Sequence, residues 1–417
     1  MKVIKRDGRE VPFDKGKIEQ AILKAFVKVD GFETEESVSK SKFISEHIAK
    51  EKRNLTVEEI QDAVEKKLMN GSRKDVAKEY IIYRNERTKV REKNSNLIQK
   101  VFDRINAANV ENSNANVDEN SFSGREKEAS SDVQKFIALE LDGLSEPVAK
   151  AHKEMLIYQH DLDKAILGQS NCLNVDFGEI FKYGFTTRNG DVRPPSSFST
   201  ACQLVAVAFQ CQSQIQFGGV GSIHLDFDLA PFVKKSFLKH YADGLRYVSE
   251  LVKYSEDQIT EIIEYLKHKE IDDDSWNIKS KHYQYAIDML EREGLQSAQG
   301  LYHNLNTLES RQGSQVPFTS INVGRDTSIE GRLVTKWIMQ ASLDGIGKHH
   351  LTSIFPISIF QYKKGTNASK EDPNYDLKKL ALTSMSKRIY PNWCNGDWSQ
   401  ANEDINNPDT FFSTMGK

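Results

Sequence analysis

Cysteine is scarce in this chain. Cys172, Cys202, Cys211 and Cys394 are its four thiols among 417 residues, with no CxxC pair and no spacing suited to a tetrahedral metal site. A disulfide-stapled scaffold is excluded, no metal ligand set is expected within the chain, and the thiols are expected to be reduced. No run of eighteen apolar residues occurs, and the opening MKVIKRDGRE lacks the apolar stretch of a secretory leader. The expectation is therefore a soluble cytoplasmic protein with no membrane partner. A charge excess is missing too. Lys plus Arg number 57 against 60 Asp plus Glu, a net charge of −3, which lacks the basic footprint of a nucleic-acid binder. What is present is length, enough for two to four domains and at least one large core.

The first segment reads as a β-hairpin. Two short alternating runs, KVIKR and REVPF, flank Asp7-Gly8, a pair that tolerates the positive φ of a tight turn. Asp14 can cap a helix whose apolar face is Ile18, Ala21, Ile22, Ala25 and Phe26. A second helical stretch is expected near 42–52. Thr56-Val57-Glu58-Glu59 is a capping-box signature for a third, with Ile60, Val64 and Leu68 on one face. A fourth helix carries Val76, Tyr80, Ile81 and Tyr83. The polar stretch 106–131 reads as a linker on composition. Beyond about Val133 apolar runs at 171–177, 201–209, 317–323 and 351–360 alternate with charged helical stretches, suggesting a large α/β domain.

The hairpin-to-helix unit brings Val3, Lys5, Arg6 and Lys17 into one neighbourhood near a helix N-terminus, which suits a polyphosphate or, equally, a solvated charged hairpin. By residue type alone Cys172 reads as a buried core thiol. His160 reads equally well as a packing or capping histidine. Cys202 and Cys211 lie nine residues apart in an apolar helical run, about 180° around a helix, and read as packing residues. His224, Asp226 and Asp228 alternate like strand-borne metal ligands, but the helix start that follows favours capping.

The segment VIKRDGREVPFDKGKI closely resembles the opening of an ATP-cone, the regulatory nucleotide-binding domain of ribonucleotide reductases, over residues 1–92. Carried over by motif position, Val3, Lys5, Arg6, Asp14, Lys17 and Thr56 would line a site for ATP or dATP as allosteric effectors. Asp14 stands where other cones often have Asn. Arg84 and Arg87 are candidates for phosphate.

Four later blocks, NANVDENSFSGR, QSNCLNVDFGEIF, GFTTRNGDVRPPSSFSTACQLVAVAFQCQSQIQFGGVGS and SRQGSQVPFTSINVG, resemble successive parts of the anaerobic (class III) ribonucleoside-triphosphate reductase. The resemblance implies an ATP-cone over 1–92, a connecting segment over 93–132, and over 133–417 the first half of a ten-stranded glycyl-radical-type α/β barrel. It places Cys172 as the reducing active-site cysteine and makes Asn171 and His160 candidates for ribose contact. The helix holding Cys202 and Cys211, with the Gln210, Gln212, Gln214 and Gln216 series, would lie near a dimer interface and a deoxynucleotide specificity site, without assigning any single Gln.

In the resembling enzymes a thiyl-radical cysteine follows Met-Gly, whereas here Met415-Gly416 is followed by Lys417. That cysteine, the radical glycine and the four-cysteine zinc module are not encoded in these residues. The expectation is the N-terminal part of a split or interrupted reductase, with unpaired strand edges and an exposed inner face. The whole enzyme would reduce ribonucleoside triphosphates, with formate as reductant, a radical S-adenosylmethionine activase, a homodimeric state and a separate C-terminal polypeptide as partners. The alternative is a catalytically inactive nucleotide-binding protein acting only through its cone.

Overall fold

The structure, a computed structural model, describes residues 2–6, 8–51, 53–106, 118, 120–249, 252–397 and 414–415. The chain divides into two compact units, 1–100 and 101–417. Among the described residues no helix is long and apolar enough to cross a membrane.

In the first unit β1 (Lys2–Ile4) and β2 (Glu10–Pro12) pair antiparallel with Val3 opposite Val11. Gly8 adopts φ +82°, as a tight turn demands; Asp7, its expected turn partner, lies outside the described residues. The Asp14 side chain accepts the Gly16 N–H at 3.0 Å and starts α1 (Lys15–Asp30), whose buried face is Ile18, Ile22, Ala25 and Phe26. Helix α2 (Glu35–Ala49) begins seven residues before the expected 42, because Thr34 and Ser37 form a capping box there. Its buried side carries Ser37, Ser41 and Ser45 beside Ile44 and Ile48, small residues that let α2 approach α1; Ser45 Oγ donates to Glu19 across the gap at 2.6 Å. A two-residue strand not anticipated from sequence, β3 (Leu55–Thr56), pairs parallel with β1. It leads into α3 (Val57–Asn70), where Thr56 and Glu59 form the expected capping box over buried Ile60, Val64 and Leu68. Helix α4 (Lys74–Ile105) buries Val76 and Tyr80, leaves Ile81 and Tyr83 exposed, and continues well past residue 92.

After the end of α4 the second unit continues with α5 (Phe122–Glu140), capped by Ser121, so the described part of the polar 106–131 stretch is largely helical rather than linker. Then come α6 (Glu146–Lys153), α7 (Leu162–Ala165), β4 (Leu173–Val175), α8 (Phe177–Tyr183) and the hairpin of β5 (Phe185–Thr187) and β6 (Gly190–Val192). The apolar run at 201–209 is helical, within α9 (Phe198–Ser213). The rest is β7 (Val220–Ser222), α10 (Leu225–Tyr247), α11 (Glu256–Leu266), α12 (Lys281–Thr307), β8 (Thr319–Val323), α13 (Ile329–Asp344), β9 (Ile357–Tyr362), α14 (Tyr375–Arg388) and β10 (Asn392–Asn395).

Five strands form one all-parallel sheet in the order β10-β9-β8-β7-β4. Strand alternation gives it two unlike faces. Val175, Val220, Ile321, Val323 and Phe360 pack on the helices in one large core with Phe198, Phe209, Phe237 and Trp337. Asn174, Gly221, Ser320, Asn322, Gln361 and Cys394 alternate with them and occupy the other face. That inner face is not open as expected: Asn322 and Gln361 are buried, and Asn322 Nδ2 donates to the Thr414 carbonyl at 3.0 Å. The five strands are those among the described residues, which do not include 398–413.

His224 occupies the start of α10 without a side-chain cap bond, contrary to the capping expectation. Asp226 instead accepts the N–H groups of Gly324, Arg325 and Asp326 at 2.8, 2.9 and 3.0 Å, clamping the loop after β8. Burial pushes its carboxyl up to about 6 against the pull of those donors.

Candidate functional site

Two sites stand out, one in each unit. The first is a cavity of about 210 Å³ between the hairpin, α1 and α3. Val3, Val11, Ile18, Val57, Ile60 and Val64 make its apolar lining, and Lys5, Lys17, Asp14 and Gln61 supply polar groups. An apolar floor with two ammonium groups suits a ligand with a flat apolar ring and an anionic tail.

Of the residues expected there, the structure gathers Val3, Lys5, Asp14 and Lys17 around the cavity. Arg6, Thr56 and Arg84 are neighbours committed elsewhere. Thr56 Oγ1 accepts the Glu59 N–H at 3.2 Å and donates to the Glu59 carboxylate at 3.0 Å. Arg6 is bonded to Glu58 and Gln61, and Arg84 to Glu58, Asp62 and Glu65. Arg87 is exposed on α4 and outside the lining. Gln61 was not foreseen; it sits one residue after Ile60 on α3, where sequence shows only an amphipathic helix.

The second site is built around Cys172, immediately before β4 and in phase with Asn174 on the polar sheet face. The thiol is exposed, not packed in the core, and its Sγ lies 3.2 Å from Asn171 Oδ1. A bulge places it there. Ser170 bridges Gln216 while Leu173 pairs with Val220, so the second strand carries one extra residue. Gly218 takes up that excess, and a Cβ on it would fall 2.0 Å from the Asn171 carbonyl oxygen. Side chains tie down the bulge carbonyls: Gln216 Nε2 donates to Gly219 O at 2.6 Å, Arg311 Nη1 to Gly218 O at 2.8 Å, and Arg311 Nη2 to Phe217 O.

Arg311 is the residue the sequence reasoning missed. Its guanidinium stacks 4.0 Å over the Phe318 ring, and burial pushes its pKa down to about 10 although Asp161 and Cys172 oppose the shift. It lies within the SRQGSQVPFTSINVG block, but its partners are more than ninety residues away in sequence. His160 sits on an exposed turn, its Nδ1 against the Asp161 carboxylate and its ring edge-on to Tyr158. Asp161, rather than His160, is linked electrostatically to the Arg311 that borders Cys172.

Cys202 is buried on α9 and Cys211 exposed, as their half-turn offset requires. Burial raises the Cys202 thiol far above its ordinary range. Among the described residues no group of three or more His, Cys, Asp or Glu side chains is placed to hold a metal ion.

Comparison with known proteins identifies the family. Residues 1–89 match the ATP cone domain, and residues 113–416 match the anaerobic ribonucleoside-triphosphate reductase family. The chain belongs to the anaerobic ribonucleoside-triphosphate reductase family and carries an ATP cone domain. It is 33% identical over 408 residues to the anaerobic ribonucleoside-triphosphate reductase of Haemophilus influenzae, covering 95% of this chain and 52% of that one. The Escherichia coli protein of the same description is 33% identical over 399 residues, covering 95% and 51%. A crystal structure of the anaerobic ribonucleotide reductase from Thermotoga maritima in complex with dATP and CTP aligns at 16% identity with a TM-score of 0.44, over 73% of this chain and 49% of that one. The chain spans about half the length of the curated relatives it matches.

Proposed function

We propose that this chain works within an anaerobic ribonucleoside-triphosphate reductase that converts ribonucleoside triphosphates to their 2′-deoxy forms. The observation that carries the reading is the exposed Cys172 thiol, held by a braced bulge on a sheet face lined with neutral polar side chains. Cys172 is assigned as the thiol that gives a hydrogen atom to C2′ after the 2′-hydroxyl has left as water. Asn171, whose side-chain oxygen lies against that thiol, is assigned to the ribose hydroxyls, and His160 is retained as an outer candidate. A protein glycyl radical would supply the radical chemistry. Formate as reductant, a radical S-adenosylmethionine activase, a homodimer and a polypeptide supplying the rest of a ten-stranded barrel complete the proposed system.

The cone cavity is assigned to ATP or dATP as allosteric effector, with Lys5 and Lys17 toward the phosphates and Asp14 toward the base or ribose. Arg6, Thr56, Arg84 and Arg87 are proposed as flanking members of that site. Because the cavity is formed wholly within the first unit, nucleotide sensing without catalysis is the second reading. Replacing Cys172 by Ala in the assembled reductase separates the two. Deoxynucleotide formation is expected to fall to background with ATP binding intact; retained turnover would remove Cys172 from the chemistry.

A further inference from the structure

Beside the cone cavity runs a chain of ion pairs that nucleotide binding would have to disturb. Arg6 Nε donates to Glu58 Oε1 at 2.6 Å, and Arg6 Nη2 donates to Gln61 Oε1 at 3.2 Å. The second oxygen of Glu58 accepts from Arg84 Nη2 at 2.9 Å, while Arg84 Nη1 also reaches Asp62 at 2.7 Å and Glu65 at 2.9 Å. The Arg6 hydrogen bond holds the Glu58 carboxyl below its ordinary range, with burial opposing it and Arg84 adding to it. Gln61 lines the cavity, whereas Arg6 stays outside the lining and turns its guanidinium to α3.

We propose that Glu58 is an internal competitor of the effector's polyphosphate: its carboxylate holds Arg6, and a triphosphate must displace it to take the guanidinium. This rests on reading the first unit as a nucleotide site. Carboxylate and phosphate use the same N–H donors of arginine, so occupation by one excludes the other. The exchange is cheap because Glu58 keeps a second partner. Once Arg6 leaves, Arg84 still pairs with the Glu58 carboxylate and stays anchored by Asp62 and Glu65. An exposed pair of this kind yields to a triphosphate yet lowers its affinity, moving the cone's response to higher effector concentration.

Calorimetric titration of the full chain with ATP at fixed ionic strength tests this on the wild type, Glu58→Gln, Arg6→Gln, the double variant and Asp62→Asn. Glu58→Gln is expected to tighten ATP binding by about 2- to 5-fold, the size expected for releasing one exposed ion pair. Asp62→Asn removes the same charge without freeing Arg6 and should give a smaller gain. In the Arg6→Gln background, the Glu58→Gln gain should vanish, since no guanidinium remains to be released. An equal gain with and without Arg6 would reduce the effect to bulk charge and overturn the proposal. Unchanged or weaker ATP binding by Glu58→Gln, with the wild type binding normally, would overturn it as well. If neither wild type nor Glu58→Gln binds ATP, the nucleotide reading fails and takes this inference with it. Glu58 is half exposed in the first turn of α3, so circular dichroism suffices to confirm that the variants fold.

Discussion

In the first unit the candidate site handles charge near the surface, with lysines lining a cavity and arginines held by exposed carboxylates. In the second it is made of neutral amides, a thiol and backbone carbonyls, positioned by a largely buried arginine. The difference follows from the tasks proposed for them. A reversible effector site gains from weak, screened pairs that exchange with a ligand. A site that must hold a thiol against a ribose carbon needs geometry fixed in advance, and buried hydrogen bonds to the bulge supply it.

The contrast can be broken most forcefully at the bulge. Gly218→Ala pushes a methyl group into the Asn171 backbone and is expected to cost about 2–4 kcal/mol of stability, within the range of severe overpacking. Denaturant unfolding should record that loss, and Cys172 alkylation should change with it. In the first unit Ile22→Ala should cost about 2–5 kcal/mol by opening a core cavity. The two hydrophobic clusters share no residue, so hydrogen exchange in β8 should stay as in the wild type.

Smaller effects sharpen the same comparison. Arg311→Met keeps an apolar chain over Phe318 but strips two bulge carbonyls of their donor, for about 1–3 kcal/mol. Its signature is an altered alkylation rate at Cys172 with Cys211 unchanged. Thr56→Ala removes a helix cap and should cost about 1 kcal/mol, confined to the first unit's unfolding.

Acid should act with opposite sign on two carboxyls, Asp226 in the second unit and Glu59 in the first. Asp226, pushed up to about 6 by burial, contributes stability fully below its ordinary 3.8 and loses it as pH rises through 6. Glu59, held at about 2 first by the Thr56 N–H and then by Arg53, contributes fully above 4.5 and loses it as pH falls toward 2. Melting curves between pH 4 and 7 should show the Asp226 contribution declining with pH and Asp226→Asn flattening that trend.

Much of this was legible in the sequence where the signal was local. The Thr56–Glu59 capping box, the Asp14 cap and the α1 and α3 apolar faces come from spacing alone, and the structure places them as expected. The start of α2 was hidden because its buried face is built of serines, which by residue type read as exposed. The thiol of Cys172 was recognisable only through its motif, since residue type alone pointed to the core and the structure shows it exposed. Arg311, Gln216 and the polar sheet face depend on which strands neighbour one another, a fact no window of sequence contains. Arg6 and Arg84 show the converse: sequence supplied the cations but not the carboxylates that hold them.

The most direct test of the central claim is alkylation of Cys172 in the assembled reductase, mapped by peptide mass spectrometry with and without a ribonucleoside triphosphate. If this thiol faces the ribose, the nucleotide will slow labelling at Cys172. Labelling at Cys172 that proceeds at the same rate with saturating nucleotide would contradict the account.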